Sequence, residues 1–488
     1  MSSGRGYEYR VFPEEVTIEN FKSIRRITLR LRPGINVLVG PNGAGKTNIL
    51  EAVYFFAKAL SALELLKVPY APHIPLYWSP EDVFYGRRTE NPLGFEVLLR
   101  VTRGSGGEYV KHYVRFSTKF TVSPDRSTVG PTYISVDWGS SKLELDSGEA
   151  RVYINSDYID EYLEVLRSAE REVGRGFRGL LRKFERLTKL KETTGTGEGG
   201  RYLLFDTQSV KEMELLLFPP IFTESSVAKD ELTELCIVSS LPLPSMRIPI
   251  LLKWGPANRE EFKGMPQPTL GKYIVGMIGM WFEKVILLKH PDIGAISEPQ
   301  AFTSGDRLDV RARNLSQVIY KLLAERDPRF LKFVDESLRR LFGEVSVEPR
   351  SSAGRVFLVI NERGLELPPP NVADGIIKVL AIAAAVALGP FILLIDEVEN
   401  SLHAKALEYV FDFLNNLEVP VVVATHSPVV VDLAGPERTM VVSRKPPDYS
   451  TTVEYFERAE ELRRRLSELG VSFADYIFYE KTRPEGGT

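Results

Sequence analysis

The chain has 488 residues, with 62 Lys and Arg against 65 Asp and Glu, a formal charge of −3. At roughly 150 residues per domain this predicts about three folding units, and 43% apolar with 26% charged residues excludes collagen-like, low-complexity and wholly disordered chains. A charge so near neutral confines any nucleic-acid surface to a local patch, the single Cys236 excludes an intramolecular disulfide and a Cys-based zinc site, and the absence of a signal-peptide pattern predicts a cytoplasmic protein.

Gln occurs at 208, 267, 300 and 317 only, and Asn thirteen times, a depletion of thermolabile amides that points to a thermophilic source. The first 120 residues read as alternating strands at 16–19, 27–30, 35–39, 95–101 and 109–122, with one long helix opening near Lys46. Between the apolar strand 35–39 and that helix lies Gly40-Pro41-Asn42-Gly43-Ala44-Gly45-Lys46-Thr47, a match to G-x-x-x-x-G-K-[ST]. Glycines let successive backbone N–H groups curl round phosphate oxygens, and the helix N-terminus adds its positive dipole. Asn42, Gly43, Ala44, Gly45, Lys46, Thr47 and Asn48 are therefore candidate ATP contacts. Lys46 reaches the β- and γ-phosphates, and Thr47 is a candidate Mg²⁺ ligand.

From about residue 125 to 300 the texture changes. A highly charged helical stretch, 158–192, runs into a predicted flexible loop at 193–200. Arg171, Arg175, Arg178 and Arg182 belong to a series of basic residues spaced by three and four, which fall within about 100° of arc on a helix. Such a stripe suits a groove of DNA phosphates; a solvated helix face is the plainer reading. The uncharged stretch 273–282 reads as a buried core helix.

The apolar run 379–395 contains Gly389-Pro390, and a helix followed by a buried strand, 391–395, fits it better than a membrane span. That strand ends in Asp396-Glu397. Taken alone, the pair reads as an N-cap before a helix at Ser401. Together with a P-loop it reads as the second half of a phosphoryl-transfer site, with Asp396 on the metal and Glu397 polarising the attacking water. Twenty-nine residues beyond Glu397, a strand at 419–424 ends in Thr425-His426-Ser427, placing His426 to contact a γ-phosphate.

The order of P-loop, long insertion, apolar strand with Asp-Glu and Thr-His-Ser resembles the ABC-type ATPase superfamily. The segments Ile18-Glu-Asn-Phe-Lys-Ser-Ile24 and Asp396-Glu-Val-Glu-Asn-Ser-Leu-His403 are similar to RecF and SMC-like ATPases, and to the OLD-type ATPases and their stand-alone relatives. The resemblance covers residues 14–70 and 300–445. It implies an α/β fold, an ABC-type P-loop ATPase head split by a mixed helical and β insertion. It also implies ATP and Mg²⁺ as cofactors and a head-to-tail homodimer on ATP binding, in which the signature loop of one subunit faces the P-loop of the other. The matching loop here is Val372-Ala373-Asp374-Gly375, with Asp374 and Gly375 as candidate contacts to the partner's nucleotide. Ala373 stands where relatives carry serine, and no Gln occurs between 1 and 207 to serve as the Q-loop glutamine, for which Glu81 or Asp82 is a candidate substitute. These departures imply slow, assembly-coupled turnover.

The expected organisation is an N-terminal ATPase lobe at 1–124, an insertion at 125–300, a C-terminal ATPase lobe at 301–450 and a helical tail at 451–488. The leading function is an ATP-dependent switch acting on DNA in repair, chromosome organisation or defence. The alternative is an ATP-sensing regulatory or antiphage ATPase, of toxin type, whose insertion binds a protein partner. With 61 residues after Ser427, the resemblance implies a stand-alone member without a topoisomerase-primase nuclease domain. A separately encoded nuclease remains a candidate partner, and no membrane association is expected.

Overall fold

The computed structural model describes residues 8–63, 79–105, 108–122, 129–137, 141–146, 149–155, 195–197, 200–205, 281–302, 304–368, 371–444 and 446–481. Arg171, Arg175, Arg178 and Arg182, the whole stretch 158–192 and most of the predicted helix 273–282 lie outside the described residues. The chain divides into two compact units. One comprises residues 15–94, 122–129 and 278–488 and carries every nucleotide motif; the other comprises 1–14, 95–121 and 130–277.

The strands and helices follow in chain order. β1 (Glu8–Phe21) and β2 (Ile24–Arg30) form an antiparallel hairpin with Ile18 opposite Ile27. β3 (Gly34–Val39) is buried at every residue, the pattern of a strand covered on both faces, and it leads into α1 (Lys46–Leu63). In the second unit, β4 (Leu93–Ser105), β5 (Glu108–Val122), β6 (Val129–Asp137), β7 (Ser141–Asp146), β8 (Glu149–Asn155), β9 (Gly195–Gly197) and β10 (Gly200–Phe205) line up as β4-β5-β6-β7-β8-β10-β9. The pairs from β6 to β9 are antiparallel. Part of the predicted loop 193–200 is thus a hairpin strand, because β9 pairs with β10 through backbone groups that glycines leave unobstructed.

The nucleotide unit resumes with β11 (Val285–Leu288), α2 (Ile293–Ser297), β12 (Gln300–Ala301), α3 (Leu315–Ala324), α4 (Pro328–Phe342), β13 (Val345–Ser352), β14 (Arg355–Glu362) and β15 (Leu365–Leu367). It continues with α5 (Asp374–Ala387), β16 (Ile392–Asp396), α6 (Ala404–Asn415), β17 (Pro420–Thr425), α7 (Pro428–Ala434), β18 (Thr439–Arg444), β19 (Thr451–Glu454) and α8 (Ala459–Leu469). β12, β13, β14 and β15 make a small antiparallel sheet.

The central sheet runs β11-β16-β17-β3-β18-β19, parallel as far as β18, with β19 antiparallel on the edge. The register sets Leu288 beside Ile395, Asp396 beside Ala424 and Thr425 beside Val39. The carboxyl ends of β11, β16, β17 and β3 therefore share one edge, where open α/β sheets bind ligands. The predicted tail at 451–488 contributes β19 to this sheet.

The apolar run 379–395 resolves as expected into a helix and a strand. α5 ends at Ala387, Gly389 follows with φ +65°, and β16 is buried from Ile392 to Ile395. Among the described residues no helix is long and apolar enough to cross a membrane. The helix predicted at Ser401 starts instead at Ala404, where His403 Nδ1 accepts from the Ala406 N–H at 3.3 Å as the cap. Six residues thus separate Glu397 from that helix, and the N-cap reading of Asp396-Glu397 falls.

Candidate nucleotide site

The P-loop leaves β3 at Val39 and enters α1 at Lys46. Asn42 and Gly43 lie exposed at its tip, whereas Ala44 and Lys46 are buried. Gly45 has φ +107°, and a Cβ there would lie 2.2 Å from Thr451 Oγ1 and 3.0 Å from Ser23 Oγ, so both the conformation and the space require glycine. Those two hydroxyls hold the loop from behind. Ser23 Oγ and Thr451 Oγ1 are 2.7 Å apart, Thr451 Oγ1 donates to the Ala44 carbonyl at 3.0 Å, and Asn48 Nδ2 donates to Ser23 Oγ at 2.7 Å. Asn48, expected as an ATP contact, here fastens α1 to the turn after β1.

Lys46 Nζ donates to the carbonyls of Gly40 at 2.8 Å and Pro41 at 3.1 Å. Burial lowers its pKa to about 8, against the opposing pull of Asp396, Glu399 and Glu397. Thr47 Oγ1 donates to Asp396 Oδ2 at 3.1 Å and Oδ1 at 3.3 Å, closing a sequence gap of 349 residues. Burial pushes the Asp396 carboxyl up from its ordinary value, and the Thr47 hydrogen bond and the Lys289 ammonium counteract it.

Glu397 follows at the exposed mouth of the site with φ +50°, a conformation uncommon for a residue with a side chain. Its backbone is pinned from two sides: the N–H donates to Ala424 O at 3.0 Å, and the carbonyl accepts from Lys378 Nζ at 3.3 Å. Lys378 projects from α5 and is 1% exposed. Glu399 reaches across to β17, accepting from Thr425 Oγ1 at 2.9 Å and from the His426 N–H at 2.6 Å. This carboxylate fixes the loop that carries His426, whose pKa is lowered first by burial and then by the Lys46 charge.

The structure thus gathers Lys46, Thr47, Asp396, Glu397 and His426 at one edge of the sheet. The signature segment differs in detail from the expectation. Ala373 and Asp374 are exposed, but Gly375 is buried, and a Cβ on it would sit 2.7 Å from the Ser401 carbonyl of the same chain. Gly375 is therefore required for packing α5 against the loop after Asp396. α5 begins without a side-chain cap at Ala373, which leaves first-turn amides available to an anion.

The candidates Glu81 and Asp82 also change. They lie in a single turn, Pro80–Val83, where Asp82 accepts from the Ser79 N–H at 3.1 Å and pairs with Arg87 at 3.2 Å. The residue at the strand tip beside Asp396 is Lys289. Sequence reading also missed Ser23, Thr451, Lys378 and Glu399. A lone charge in the apolar helix 376–388 was a usable signal for Lys378, whereas nothing local marks Thr451.

Two family models match the chain: "AAA domain, putative AbiEii toxin, Type IV TA system" over residues 295–432 and "AAA ATPase domain" over residues 14–89. Among curated proteins, the chain is 31% identical over 135 residues to the DNA replication and repair protein RecF of Erwinia tasmaniensis, covering 25% of this chain and 37% of that one. It is 60% identical over 40 residues to the DNA double-strand break repair Rad50 ATPase of Methanopyrus kandleri, 8% of this chain and 5% of that one. Among solved structures, an SMC head bound to the C-winged helix domain of ScpA aligns over 92% of this chain and 99% of its own, with TM-score 0.40 and 13% identity.

Proposed function

With its head an ABC-type P-loop ATPase of the RecF and SMC-like kind, we propose that this chain hydrolyses ATP at the Thr47–Asp396 junction and works as a DNA-directed switch that dimerises on ATP. The observation that carries the reading is the convergence of the P-loop hydroxyl and the β16 carboxylate, 349 residues apart in sequence.

Those two groups suit a hard cation. Both supply oxygen, and among the described residues no cage of three or more His, Cys, Asp or Glu competes for a metal. Thr47 and Asp396 would hold Mg²⁺, which when bound neutralises charge on the phosphate oxygens. Lys46 exchanges its two carbonyl partners for β- and γ-phosphate oxygens, and the approaching anion favours its protonated form. Glu397, held in an unusual backbone conformation by Ala424 and Lys378, presents its carboxylate to the attacking water. His426, fixed through Glu399, contacts the γ-phosphate and registers its loss. Little covalent chemistry is asked of the protein; positioning and charge supply the rate.

The uncapped, exposed start of α5 at Ala373 and Asp374 supports a second subunit bringing its nucleotide there. The DNA reading is supported by the relatives, a DNA replication and repair protein RecF and a DNA double-strand break repair Rad50 ATPase, and by the arginine stripe at Arg171, Arg175, Arg178 and Arg182. The deciding experiment is the steady-state ATPase rate of the intact chain alone and with double- or single-stranded DNA. Turnover stimulated by either form supports the reading. Turnover indifferent to both retires the DNA role and keeps the ATPase.

A further inference from the structure

On the side of Asp396 away from β17 lies β11, whose Leu288 pairs with Ile395, so that Lys289 stands at the strand tip next to Asp396. Its ammonium is bound to Glu51 Oε1, while Lys22, from the turn between β1 and β2, holds Glu51 Oε2. Glu51 is 4% exposed and sits four residues beyond Thr47 on α1. Residues four apart on a helix share a face, about 6 Å from one another along the axis. Thr47 with Asp396 and Glu51 with Lys289 are thus successive rungs between α1 and two neighbouring strand ends.

The charge count of the lower rung is uneven. One buried carboxylate serves two ammonium groups, so if Lys289 moves away Glu51 keeps Lys22 as its partner and no buried charge is stranded. A lysine has a flexible four-carbon stem and three donors, and swinging over one helical turn lies within its reach.

Resting on the ATPase reading above, we propose that Lys289 is a further residue of the nucleotide site, held on Glu51 in this conformation and transferred to the terminal phosphate when ATP occupies the P-loop. It approaches from the flank of Asp396 opposite β17, the flank that no residue of the sequence motifs covers. Lys46 and Lys289 then bracket the transferring phosphoryl group, where developing charge is stabilised. Burial of the Glu51 carboxylate makes it a stable resting partner rather than a competitor exposed to solvent.

The test separates a phosphate contact from a simple brace between α1 and β11. Lys289→Met keeps the apolar stem and leaves Glu51 paired with Lys22. Binding of ATPγS and of ADP, each with Mg²⁺, is measured together with kcat and melting temperature. A terminal-phosphate contact predicts that ATPγS affinity falls about tenfold, ADP affinity stays within about twofold, and kcat falls about a hundredfold, with Lys289→Arg restoring most of the preference for the triphosphate. Equal losses for the two nucleotides, or a change confined to melting temperature, would overturn the proposal and leave Lys289 as a brace. Should Lys289→Met not fold, Glu51→Gln with Lys289→Met, which removes the carboxylate and one of its lysines, gives the same comparison. A wild-type chain that binds neither nucleotide overturns the ATPase reading and this proposal together. Normal wild-type turnover with an unaltered triphosphate preference in Lys289→Met retires Lys289 alone.

Discussion

On the proposed reading Lys46 and Glu397 have separable duties, one toward phosphate and the other toward the attacking water. Lys46→Ala removes a charge-assisted hydrogen bond worth about 1.5–3 kcal/mol, so ATP affinity is expected to fall about ten- to a hundredfold. Glu397→Gln keeps the phosphate and metal contacts and loses the base, so binding survives while turnover drops at least about a hundredfold; equilibrium binding and single-turnover hydrolysis on both variants check the pair. Lys58 tests the electrostatics away from the site. Its pKa is lowered to about 8, first by burial, then by Arg307, with Glu283 opposing. A lysine with a depressed folded value is the reverse of the ion-paired case: the unfolded chain binds the extra proton between pH 8 and 10.5, so the penalty is full below pH 8 and is relieved as pH rises through that window. Lys58→Met removes that penalty together with the 3.1 Å hydrogen bond to the Glu283 carbonyl, so its stability relative to the wild type is expected to be most favourable at pH 7 and to fall by pH 10 in denaturant melts. Single residues were legible where chemistry fixes spacing, as at Lys46, Thr47 and Asp396. Ser23 and Thr451 were not, since 428 residues separate two hydroxyls that meet behind the P-loop.

The elements flanking the motifs were legible because each is bounded by its own punctuation. The segment 391–395 is an uninterrupted apolar run closed by two acids, and Gly389-Pro390 cuts it from α5. β11 had no such marks. It is four residues long, it falls inside the stretch 125–300 read as the insertion although it belongs to the central sheet, and its importance comes only from lying beside β16. β6 to β10 were passed over although β7 and β8 alternate, Leu143 and Leu145 against Lys142, Glu144 and Asp146, and Ala150, Val152 and Ile154 against Glu149, Arg151 and Asn155. α5 shows what sequence matching leaves out about an element. Its start matches a partner-facing loop, yet Gly375 is committed to Ser401 within the chain and Lys378 to Glu397. An interface probe therefore belongs at exposed Asp374. With Mg²⁺ and ATP, Glu397→Gln is expected to sediment as a dimer, and adding Asp374→Arg should return it to the monomer. Gly375→Ala should instead lower the melting temperature without nucleotide, by an overpacking cost of about 1–3 kcal/mol. A double variant that still dimerises would reassign the signature loop.

At the scale of the whole molecule, a net charge of −3 gives DNA no general attraction, so binding must come from a concentrated patch. Between residues 167 and 191 there are nine basic and three acidic side chains, a strongly positive stretch in a chain that is otherwise acidic. Arg171, Arg175, Arg178 and Arg182 lie within this stretch, away from the nucleotide motifs in sequence. If the stripe meets DNA, affinity for DNA and the basal ATPase rate, set around Thr47 and Asp396, should respond to different substitutions. Phosphate contacts carry no base information, so changing all four arginines to alanine should weaken binding similarly for every duplex sequence. A phosphate that no arginine neutralises keeps its counterions, and the slope of log affinity against log salt should flatten by about 0.9 per arginine, roughly three to four units for the set. Fluorescence anisotropy with a labelled duplex across a salt series measures that slope, and phosphate release without DNA measures the basal rate. A flattened slope with basal turnover intact assigns the stripe to DNA. An unchanged slope returns these arginines to a solvated helix face and moves the search for the DNA surface to the nucleotide-binding unit.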